Sequence, residues 1–321
     1  MFAVYAESIH PEDPLAGLVV GEQPAPEVRE GWTTIDVKAA SLNHHDLWTL
    51  RGVGITADRL PMILGCDAAG VTADGEEVVL HSVIASGDYA DETQDPKRTL
   101  LSEVYPGTFA AQVSVPNRNV IPKPAGLSFA QAACLPTAWL TAYRMLAVRS
   151  DLYPGDTVLV QGAGGGVATA CIALGHVMGF RVWATSRDEG KRAQALALGA
   201  DAVFESGARL PERVDAVMET IGAATWEHSI KSLRPGGSIV ISGATSGPNP
   251  PADLTRIFFK QLSVVGSTMG TKAELERLVR LCDVSGLRPT IDRELPMTQA
   301  ADALSAMAAG ELFGKVVLTR P

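Results

Sequence analysis

Hydrophobic and polar residues alternate with a period of two along the first third of this 321-residue chain. Three stretches show the alternation most clearly: TTIDVKAAS at 33–41, EEVVLHSV at 76–83 and TFAAQVSVP at 108–116. Glycine, proline and aspartate separate such stretches, a combination typical of antiparallel strands joined by turns. We therefore predict an antiparallel β domain up to about residue 120, with a long polar surface loop at 86–107.

The pattern becomes helical near residue 122, and strands and helices then alternate from 156 to about 269. Ser128 stands three residues before Gln131, a capping-box spacing, and we predict two short helices with a break at the LPT of 135–137. The later strands are almost continuously apolar, as in the VLV of 158–160. Such strands are typical of a parallel sheet that is covered by helices on both faces. The pattern therefore predicts a doubly wound sheet.

The C-terminal stretch FGKVVLTR at 313–320 is more similar to the strands of the first domain than to those of the sheet. We therefore expect the chain to return to its first domain, so that the second domain is an insertion. The predicted fold class is α/β. Residues 1–122 and 271–321 are assigned to the β domain, and residues 123–270 to the doubly wound domain.

The composition of the chain limits which binding partners and which cellular compartment are expected. The net charge of −9 argues against nucleic acid and anionic membranes as partners, since both attract basic surfaces. The apolar runs are too short to cross a bilayer, and the N-terminus lacks the basic flank of a signal peptide. The four cysteines have no CxxC spacing, which fits reduced thiols. These features predict a cytoplasmic protein.

A glycine-rich turn between a strand and a helix, VLVQGAGGGVATA at 158–170, predicts dinucleotide binding. Gly164, Gly165 and Gly166 remove side chains where a pyrophosphate must approach the backbone. The helix that starts near Val167 offers free N–H groups to the anion. Ala168 is an accepted substitute for the last glycine, at the point where helix and strand pack closely.

The end of the next strand, in WATSRDEGK at 183–191, indicates which dinucleotide is bound. An NAD site usually has an acidic residue at this place to bind the ribose 2′-hydroxyl. Here Ser186, Arg187 and Lys191 suit a 2′-phosphate instead, so we predict NADP(H). Two alternatives stay open: Ser186 and Glu189 have capping-box spacing, and Asp188 would face the ribose if the strand were longer.

Seven segments in a fixed order give the chain a resemblance to the medium-chain dehydrogenase/reductase superfamily along nearly its whole length. They are SLNHHDLW, PMILGCDAAGVT, GTFAAQVSVP, AACLPTAWLTAY, VLVQGAGGGVATA, LRPGGSIVISGA and FGKVVLTR. The resemblance implies a GroES-like β-barrel catalytic domain beside a Rossmann cofactor domain. It also implies a homodimer, to which GSTMG at 266–270 contributes a strand.

The resemblance also bears on metal binding. Zinc-dependent members carry a Cys where this chain has Asn43, a His-Glu pair where it has Cys66 and Asp67, and a Cys or Asp where it has Thr137. Asn and Thr are poor zinc ligands. The loop that carries four cysteines for a structural zinc in those enzymes has none here. We therefore predict a metal-free site similar to that of the quinone oxidoreductase branch.

Several functional residues follow from the resemblance. Asn43 is expected beside the nicotinamide, where it donates a hydrogen bond to an oxygen of the cofactor or substrate, and His44 or His45 is expected to pass a proton. The alternative is that Asp46 and one histidine only fix the loop. The remaining residues are predicted to contact the cofactor: Thr141, Gly243, Ala244, Thr268 and Lys315.

Without a metal there is no strong Lewis acid to polarise a simple ketone, so the acceptor must itself be electrophilic. We predict hydride transfer from NADPH to a quinone or an α,β-unsaturated carbonyl compound. Two alternatives stay open. One is a zinc-dependent alcohol dehydrogenase that uses Cys66, Asp67 and a histidine, and the other is an NADPH-binding protein without turnover.

Overall fold

The structure, a computed structural model, describes residues 1–27 and 29–320, and the chain divides into two compact units. Unit 1 combines residues 1–138 with the chain from Gly270 onward, and unit 2 is Trp139–Met269. The first passage between the units lies later than the predicted residue 123. The reason is that the helix Phe129–Ala133 packs on strands of unit 1.

The N-terminal part of unit 1 is built mainly of strands. Numbered in chain order, they are β1 (Phe2–Ala6), β2 (Leu18–Glu22), β3 (Trp32–Ser41), β4 (Met62–Ile63), β5 (Asp67–Thr72), β6 (Glu77–Leu80), β7 (Val83–Ile84), β8 (Thr99–Leu100), β9 (Gln112–Pro116) and β10 (Val120–Pro122). Its helices are α1 (His44–Leu50) and α2 (Phe129–Ala133). The pairs β1–β2, β3–β5, β3–β9 and β5–β6 are antiparallel, as the period-two alternation predicts.

Unit 2 alternates helices with parallel strands, which confirms the doubly wound sheet. Its helices are α3 (Leu140–Ala147), α4 (Gly166–Val177), α5 (Glu189–Ala197), α6 (Ala223–Ser232) and α7 (Leu254–Phe259). Its strands are β11 (Thr157–Val160), β12 (Arg181–Thr185), β13 (Ala202–Phe204), β14 (Val214–Glu219), β15 (Leu233–Ile241) and β16 (Ser263–Gly266). They lie in the order β13-β12-β11-β14-β15-β16, which is the strand order of dinucleotide-binding folds.

The chain then returns to unit 1, as predicted. The returning elements are α8 (Lys272–Ser285), β17 (Ile291–Pro296), α9 (Ala300–Ala308) and β18 (Lys315–Thr319). Strand β18 pairs antiparallel with β3, with Val317 opposite Ser41, and parallel with β17. The sheet of unit 1 therefore has the order β10-β6-β5-β3-β18-β17, in which the returning strand β18 lies between β3 and β17.

Each unit has its own apolar core. In unit 1, Ile35 and Phe109 are fully buried together with Leu304 of α9. In unit 2, Leu159 of β11 and Ile239 of β15 pack with residues of α6. The sheet of unit 2 thus carries apolar side chains that helices cover, which is the physical reason for its near-continuous apolar strands.

Two local predictions can be compared with the structure. Ser128 and Gln131 form the predicted capping box at the start of α2, and the predicted break is a π-helical turn at Leu135–Trp139 that contains Pro136. The loop at 86–107, predicted to be a surface loop, is partly buried: Asp95 is inaccessible and accepts hydrogen bonds from the backbone N–H and the hydroxyl of Ser86. Every helix among the described residues is too short or too polar to cross a bilayer.

Candidate active site

Three neighbouring strands of unit 1 bring polar residues together at one buried point. Strand β3 ends at Ser41, β5 begins at Asp67 and β18 begins at Lys315. Ser41 lies opposite Asp67 in one pairing and opposite Val317 in the other. Asn43 follows directly on β3 and precedes α1. Sheet register therefore places these side chains side by side, although they are far apart in the sequence.

The centre of this cluster is a buried ion pair. Asp67 and Lys315 are 0% and 3% exposed, and the Lys315 Nζ lies 3.5 Å from the Asp67 Oδ2. The same Oδ2 accepts hydrogen bonds from the Ser41 hydroxyl at 2.9 Å and the Asn43 amide at 2.8 Å. The other carboxylate oxygen accepts a hydrogen bond from Thr137 at 2.5 Å. The buried carboxylate is thus surrounded by one cation and several donors, the condition under which a charge is tolerated inside a protein.

Asn43 is held by these partners through both ends of its amide. Its Nδ2 donates to Asp67 and, at 3.3 Å, to the carbonyl of Ser41, while its Oδ1 accepts a hydrogen bond from Lys315 at 2.7 Å. The predicted donation to a bound oxygen therefore requires the amide to give up its longer bond, the one to Ser41. Asn43 also stands at the N-cap position of α1.

Lys315, which the resemblance places at the cofactor, has three acceptors within unit 1. Its ammonium donates to the carbonyl of Leu42 and the amide oxygen of Asn43, and it also faces Asp67. An ammonium has three N–H groups, so this arrangement uses all of them. A cofactor contact by Lys315 stays a prediction, and it requires one of these hydrogen bonds to break.

The two histidines of α1 differ in their surroundings. His44, the predicted catalytic histidine, is exposed at the start of the helix. His45 is mostly buried, with Nδ1 3.3 Å from the Cys66 sulfur and Nε2 3.1 Å from a carboxylate oxygen of Glu103. The structure therefore surrounds His45, not His44, with groups that can exchange a proton.

The protonation of His45 follows from these contacts. Burial opposes a charged imidazole, yet the interactions with Cys66 and Glu103 outweigh it and raise the pKa of His45 well above its ordinary value. Burial also raises the pKa of Cys66, so the thiol stays protonated. Glu103, whose own pKa is lowered by the hydrogen bond from His45, is therefore the anion that stabilises the imidazolium.

Asp46 fixes the loop through the backbone and not through a histidine. Its carboxylate accepts hydrogen bonds from the N–H of Asn43 at 2.8 Å and of Gly65 at 3.0 Å. Burial raises the pKa of Asp46 to about 6. The alternative interpretation, in which Asp46 and one histidine only fix the loop, is thus right about the structural role of Asp46. Its partners, however, are the peptide groups before α1 and β5.

In unit 2 the glycine-rich turn has the shape that a dinucleotide requires. Helix α4 begins at Gly166, one residue before the predicted start, with Gly165 as its N-cap. A Cβ added at Gly165 would meet no protein atom within 4 Å, and Gly164 has a φ of +149°. The first turn, which includes Val167, has N–H groups without helical partners, as at every helix start. Open space above free N–H groups fits a pyrophosphate.

At the ribose end the structure decides between the alternatives that the sequence left open. Strand β12 ends at Thr185, and Asp188 is the N-cap of α5, where its side chain accepts the N–H of Lys191 at 2.7 Å. The alternative capping box of Ser186 and Glu189 is therefore wrong. Asp188 does not extend the strand, because capping requires it to turn towards the helix. Ser186 is buried and Arg187 is exposed at this turn.

The remaining predicted cofactor residues of unit 2 follow the strands that lie next in the sheet. Gly243 and Ala244 lie two and three residues after the end of β15, and Thr268 two residues after that of β16, so all follow the carboxyl edge where open α/β sheets bind ligands. The hydroxyl of Ser267 is buried there without a partner among the described residues. Thr141 is buried on α3. An orphaned buried hydroxyl at this edge is consistent with a nicotinamide dinucleotide that would complete its hydrogen bonds.

Sequence reasoning missed two residues of these sites. Glu103 lies in the loop that was treated as solvent-exposed, and no local signal links it to His45. Arg192 lies one helical turn beyond Asp188, and its guanidinium donates back to the carbonyls of Ser186 and Arg187. Its position in the first turns of α5, close in sequence to Ser186 and Arg187, was a signal in the sequence that could have identified it.

Two family models match the chain, the alcohol dehydrogenase GroES-like domain at residues 29–125 and the zinc-binding dehydrogenase at residues 166–283. The 2-methylene-furan-3-one reductase of Solanum lycopersicum is 30% identical over 311 residues, which cover 91% of this chain and 73% of that protein. The chain belongs to the medium-chain dehydrogenase/reductase family. It is an oxidoreductase of that family, whose members bind a nicotinamide cofactor, with a GroES-like domain and a Rossmann domain.

Other relatives in this family show how its activities vary. The quinone oxidoreductase of Lama guanicoe is 28% identical, over 92% of this chain and 90% of that protein. A solved structure, described as an NAD-dependent alcohol dehydrogenase, is 33% identical with a TM-score of 0.92 and covers 100% of both chains. Membership of the family therefore establishes the reaction class, and the residues of this chain must indicate the cofactor and the acceptor.

The zinc in the description of one matching model does not fit the donors present in this chain. Asn43 and Thr137 offer an amide and a hydroxyl, which are weak zinc ligands, and both already bind Asp67. The Asp67 carboxylate is in turn paired with Lys315. Within residues 1–27 and 29–320, no three His, Cys, Asp or Glu side chains are grouped so that they could hold a metal ion.

Proposed function

We propose that this protein transfers a hydride from NADPH to a quinone or an α,β-unsaturated carbonyl compound without a metal ion. One observation supports the proposal most strongly: at the place of the family's catalytic zinc, the ammonium of Lys315 is paired with Asp67 and Asn43. Because a fixed cation is already bonded to the anionic ligand, a divalent ion would have to displace it. The acceptor must then be electrophilic without help from a Lewis acid.

The names of two relatives agree with this proposal. One is a reductase of a methylene-furanone, a conjugated carbonyl compound, and the other is a quinone oxidoreductase. Both names describe acceptors that already carry an electron-poor carbon or oxygen.

The cofactor, when bound, supplies the hydride, and the residues of this chain supply binding and electrostatics. Gly164, Gly165, Gly166 and Val167 would hold the pyrophosphate, and Ser186 with Arg187 and Lys191 would hold the 2′-phosphate. The remaining predicted contacts with the cofactor are kept as part of the proposal: Thr141, Gly243, Ala244, Thr268 and Lys315.

Asn43 is proposed to stabilise the oxygen of the acceptor. Lys315 polarises the Asn43 amide through its oxygen, which makes the N–H groups better donors. The bond from this amide to the Ser41 carbonyl, at 3.3 Å, is the longer of its two and the easier to exchange for a bond to an oxyanion. Because the two ring nitrogens of His45 contact Cys66 and Glu103, we assign to it the proton-transfer role that the sequence left between His44 and His45.

The test follows the oxidation of NADPH and of NADH by their absorbance with a panel of quinones, enones and enals. A second assay measures the oxidation of primary alcohols with NAD, which is the reaction of the alternative enzyme. Zinc in the purified protein is measured by elemental analysis. We expect turnover with conjugated acceptors and NADPH, less than one zinc per chain, and no loss of activity with a chelator. Alcohol oxidation that disappears with the chelator would establish the zinc-dependent alternative, and binding of NADPH without turnover would establish a non-catalytic protein.

We also propose a homodimer that forms through β16 of unit 2. This strand is the last of its sheet, and the helix that precedes it in the chain, α7, carries exposed apolar residues: Leu254 is 70%, Phe258 67% and Phe259 82% exposed. An open strand edge beside exposed aromatic rings fits a second copy of the chain. Sedimentation should give a dimer that Phe259→Asp dissociates; a wild-type monomer at micromolar concentration would contradict this.

The proposed compartment is the cytoplasm, where the four free cysteines, all buried in the structure, would stay reduced. The proposed partner is a small electrophilic molecule, with no nucleic acid or membrane.

A further inference from the structure

Helix α5 carries, near its N-terminal end, an arginine whose side chain contacts the turn between β12 and α5. This is the turn that we predict to bind the 2′-phosphate. The backbone N–H of Arg192 bonds to the carbonyl of Asp188, so this residue lies one turn into the helix. Its Nη1 donates to the carbonyl of Ser186 at 2.8 Å and to that of Arg187 at 3.3 Å. The side chain is therefore folded back over the two residues at which the strand gives way to the helix.

This arrangement leaves much of the guanidinium available. A guanidinium has five N–H donors in a planar fork, and the two contacts use one of its nitrogens. Among the described residues the Nε and Nη2 of Arg192 have no protein partner. The group is half-buried and fixed, which reduces the entropy lost when an anion binds. A phosphate is the ligand that such a planar pair of donors recognises.

Ser186 offers a second donor at the same place. Its hydroxyl oxygen accepts the N–H of Asp188 at 3.2 Å, so the hydroxyl hydrogen remains free to donate. The side chain is only 6% exposed, and its position is therefore fixed. Arg187, in contrast, is exposed and has no fixed contact through its side chain among the described residues. Arg192 is therefore better fixed at this turn than Arg187.

We propose that Arg192 is the main specificity-determining residue for the phosphorylated coenzyme. Its free guanidinium edge binds the ribose 2′-phosphate together with the Ser186 hydroxyl. Its Nη1, through its bonds to the turn carbonyls, holds the turn in the conformation that binds the phosphate. Arg187 and Lys191 add charge around this site. The inference rests on the proposed use of NADPH and extends it to a residue that our sequence analysis did not name.

The experiment measures binding of two fragments by calorimetry, without turnover. The fragments are 2′,5′-ADP, which carries the 2′-phosphate, and 5′-AMP, which lacks it. The variants are Arg192→Ala, Arg192→Lys and Arg187→Ala, with Arg280→Ala on an exposed face of α8 as the control for lost charge. Thermal melting without ligand shows whether each variant is folded.

We expect Arg192→Ala to weaken 2′,5′-ADP by about 10–100-fold, since hydrogen bonds to a charged group are worth about 1.5–3 kcal/mol. Binding of 5′-AMP should change less than about twofold. Arg192→Lys keeps the charge without the planar fork, so it should recover only part of the affinity. Arg187→Ala should have the smaller effect, and Arg280→Ala none.

Two results would overturn the inference while leaving NADPH use intact. Equal weakening of both fragments by Arg192→Ala would show that the arginine only shapes the turn. An unchanged affinity for 2′,5′-ADP would show that it does not bind the phosphate. A wild-type protein that binds both fragments equally would instead remove the proposed NADPH preference, and the inference with it.

Discussion

The buried pair of Lys315 and Asp67 allows a quantitative test through Lys315→Met. Methionine has a similar length and an apolar end, so the change removes the ammonium and leaves little space. Asp67 would remain fully buried with its hydroxyl and amide donors but without a compensating cation. Removal of one partner of a buried ion pair destabilises proteins by about 3–5 kcal/mol, because an uncompensated charge stays inside.

The assay is thermal unfolding of the whole chain, followed by circular dichroism and by tryptophan fluorescence, and it compares the melting temperature of the transition of unit 1. For a unit of this size, 1 kcal/mol corresponds to about 2–4 °C, so we expect a loss of about 6–20 °C. The matched control is Lys231→Met. Lys231 pairs with Glu227 on the surface of α6, and such an exposed pair contributes about 0.5 kcal/mol or less.

The double variant Lys315→Met with Asp67→Asn isolates the electrostatic origin of the loss. It removes both charges, and the hydroxyls of Ser41 and Thr137 can rotate to suit an amide. We expect at least half of the lost stability to return. If Lys315→Met melts within about 2 °C of the wild type, as the control should, the reasoning about a buried ion pair is refuted.

Three further outcomes test other parts of the structure. Asn43→Ala should lower turnover by about 100-fold and leave NADPH affinity within about twofold, and a loss confined to affinity would contradict its proposed role. Gly165→Val should cost no more than about 1 kcal/mol of stability, because its Cβ meets no protein atom and only the N-cap preference for glycine is lost. It should weaken NADPH by at least about 10-fold in a fluorescence titration, and unchanged binding would show that the pyrophosphate does not bind at this turn. Asp46, whose pKa is raised to about 6, favours its protonated form in the folded protein, so its contribution to stability is present below about pH 4 and lost as the pH rises through 6. Melting curves from pH 4 to 7.5 should therefore show the wild type losing roughly 2–3 kcal/mol against Asp46→Asn, and a gap independent of pH would contradict this.

Local patterns in the sequence were sufficient for much of the fold. Continuous apolar strands that alternate with helices correctly predicted the parallel sheet, because burial on both faces leaves no polar positions. The Ser128–Gln131 spacing correctly predicted the start of α2, since a capping box depends only on residues within one turn. The pattern of the last strand correctly predicted its return to unit 1.

Local patterns were not sufficient where two of them competed. Ser186 with Glu189 and Asp188 alone are both plausible helix starts, and the end of β12 at Thr185 selects Asp188. The predicted boundary at 123 and the division of the structure after residue 138 differ for a similar reason. A helix that follows prolines looks like the start of a new domain, but α2 finds its apolar surface on the strands of unit 1.

The sequence by itself determined the fold class, the glycine turn and the residue types at the family's zinc positions, because each depends on neighbours along the chain or on a motif. Only the tertiary structure decided what those residues do to one another. Lys315 and Asp67 are 248 positions apart, and nothing in either segment indicates the other. They meet because β3 pairs with β5 on one side and with β18 on the other, and the buried cluster follows from that register.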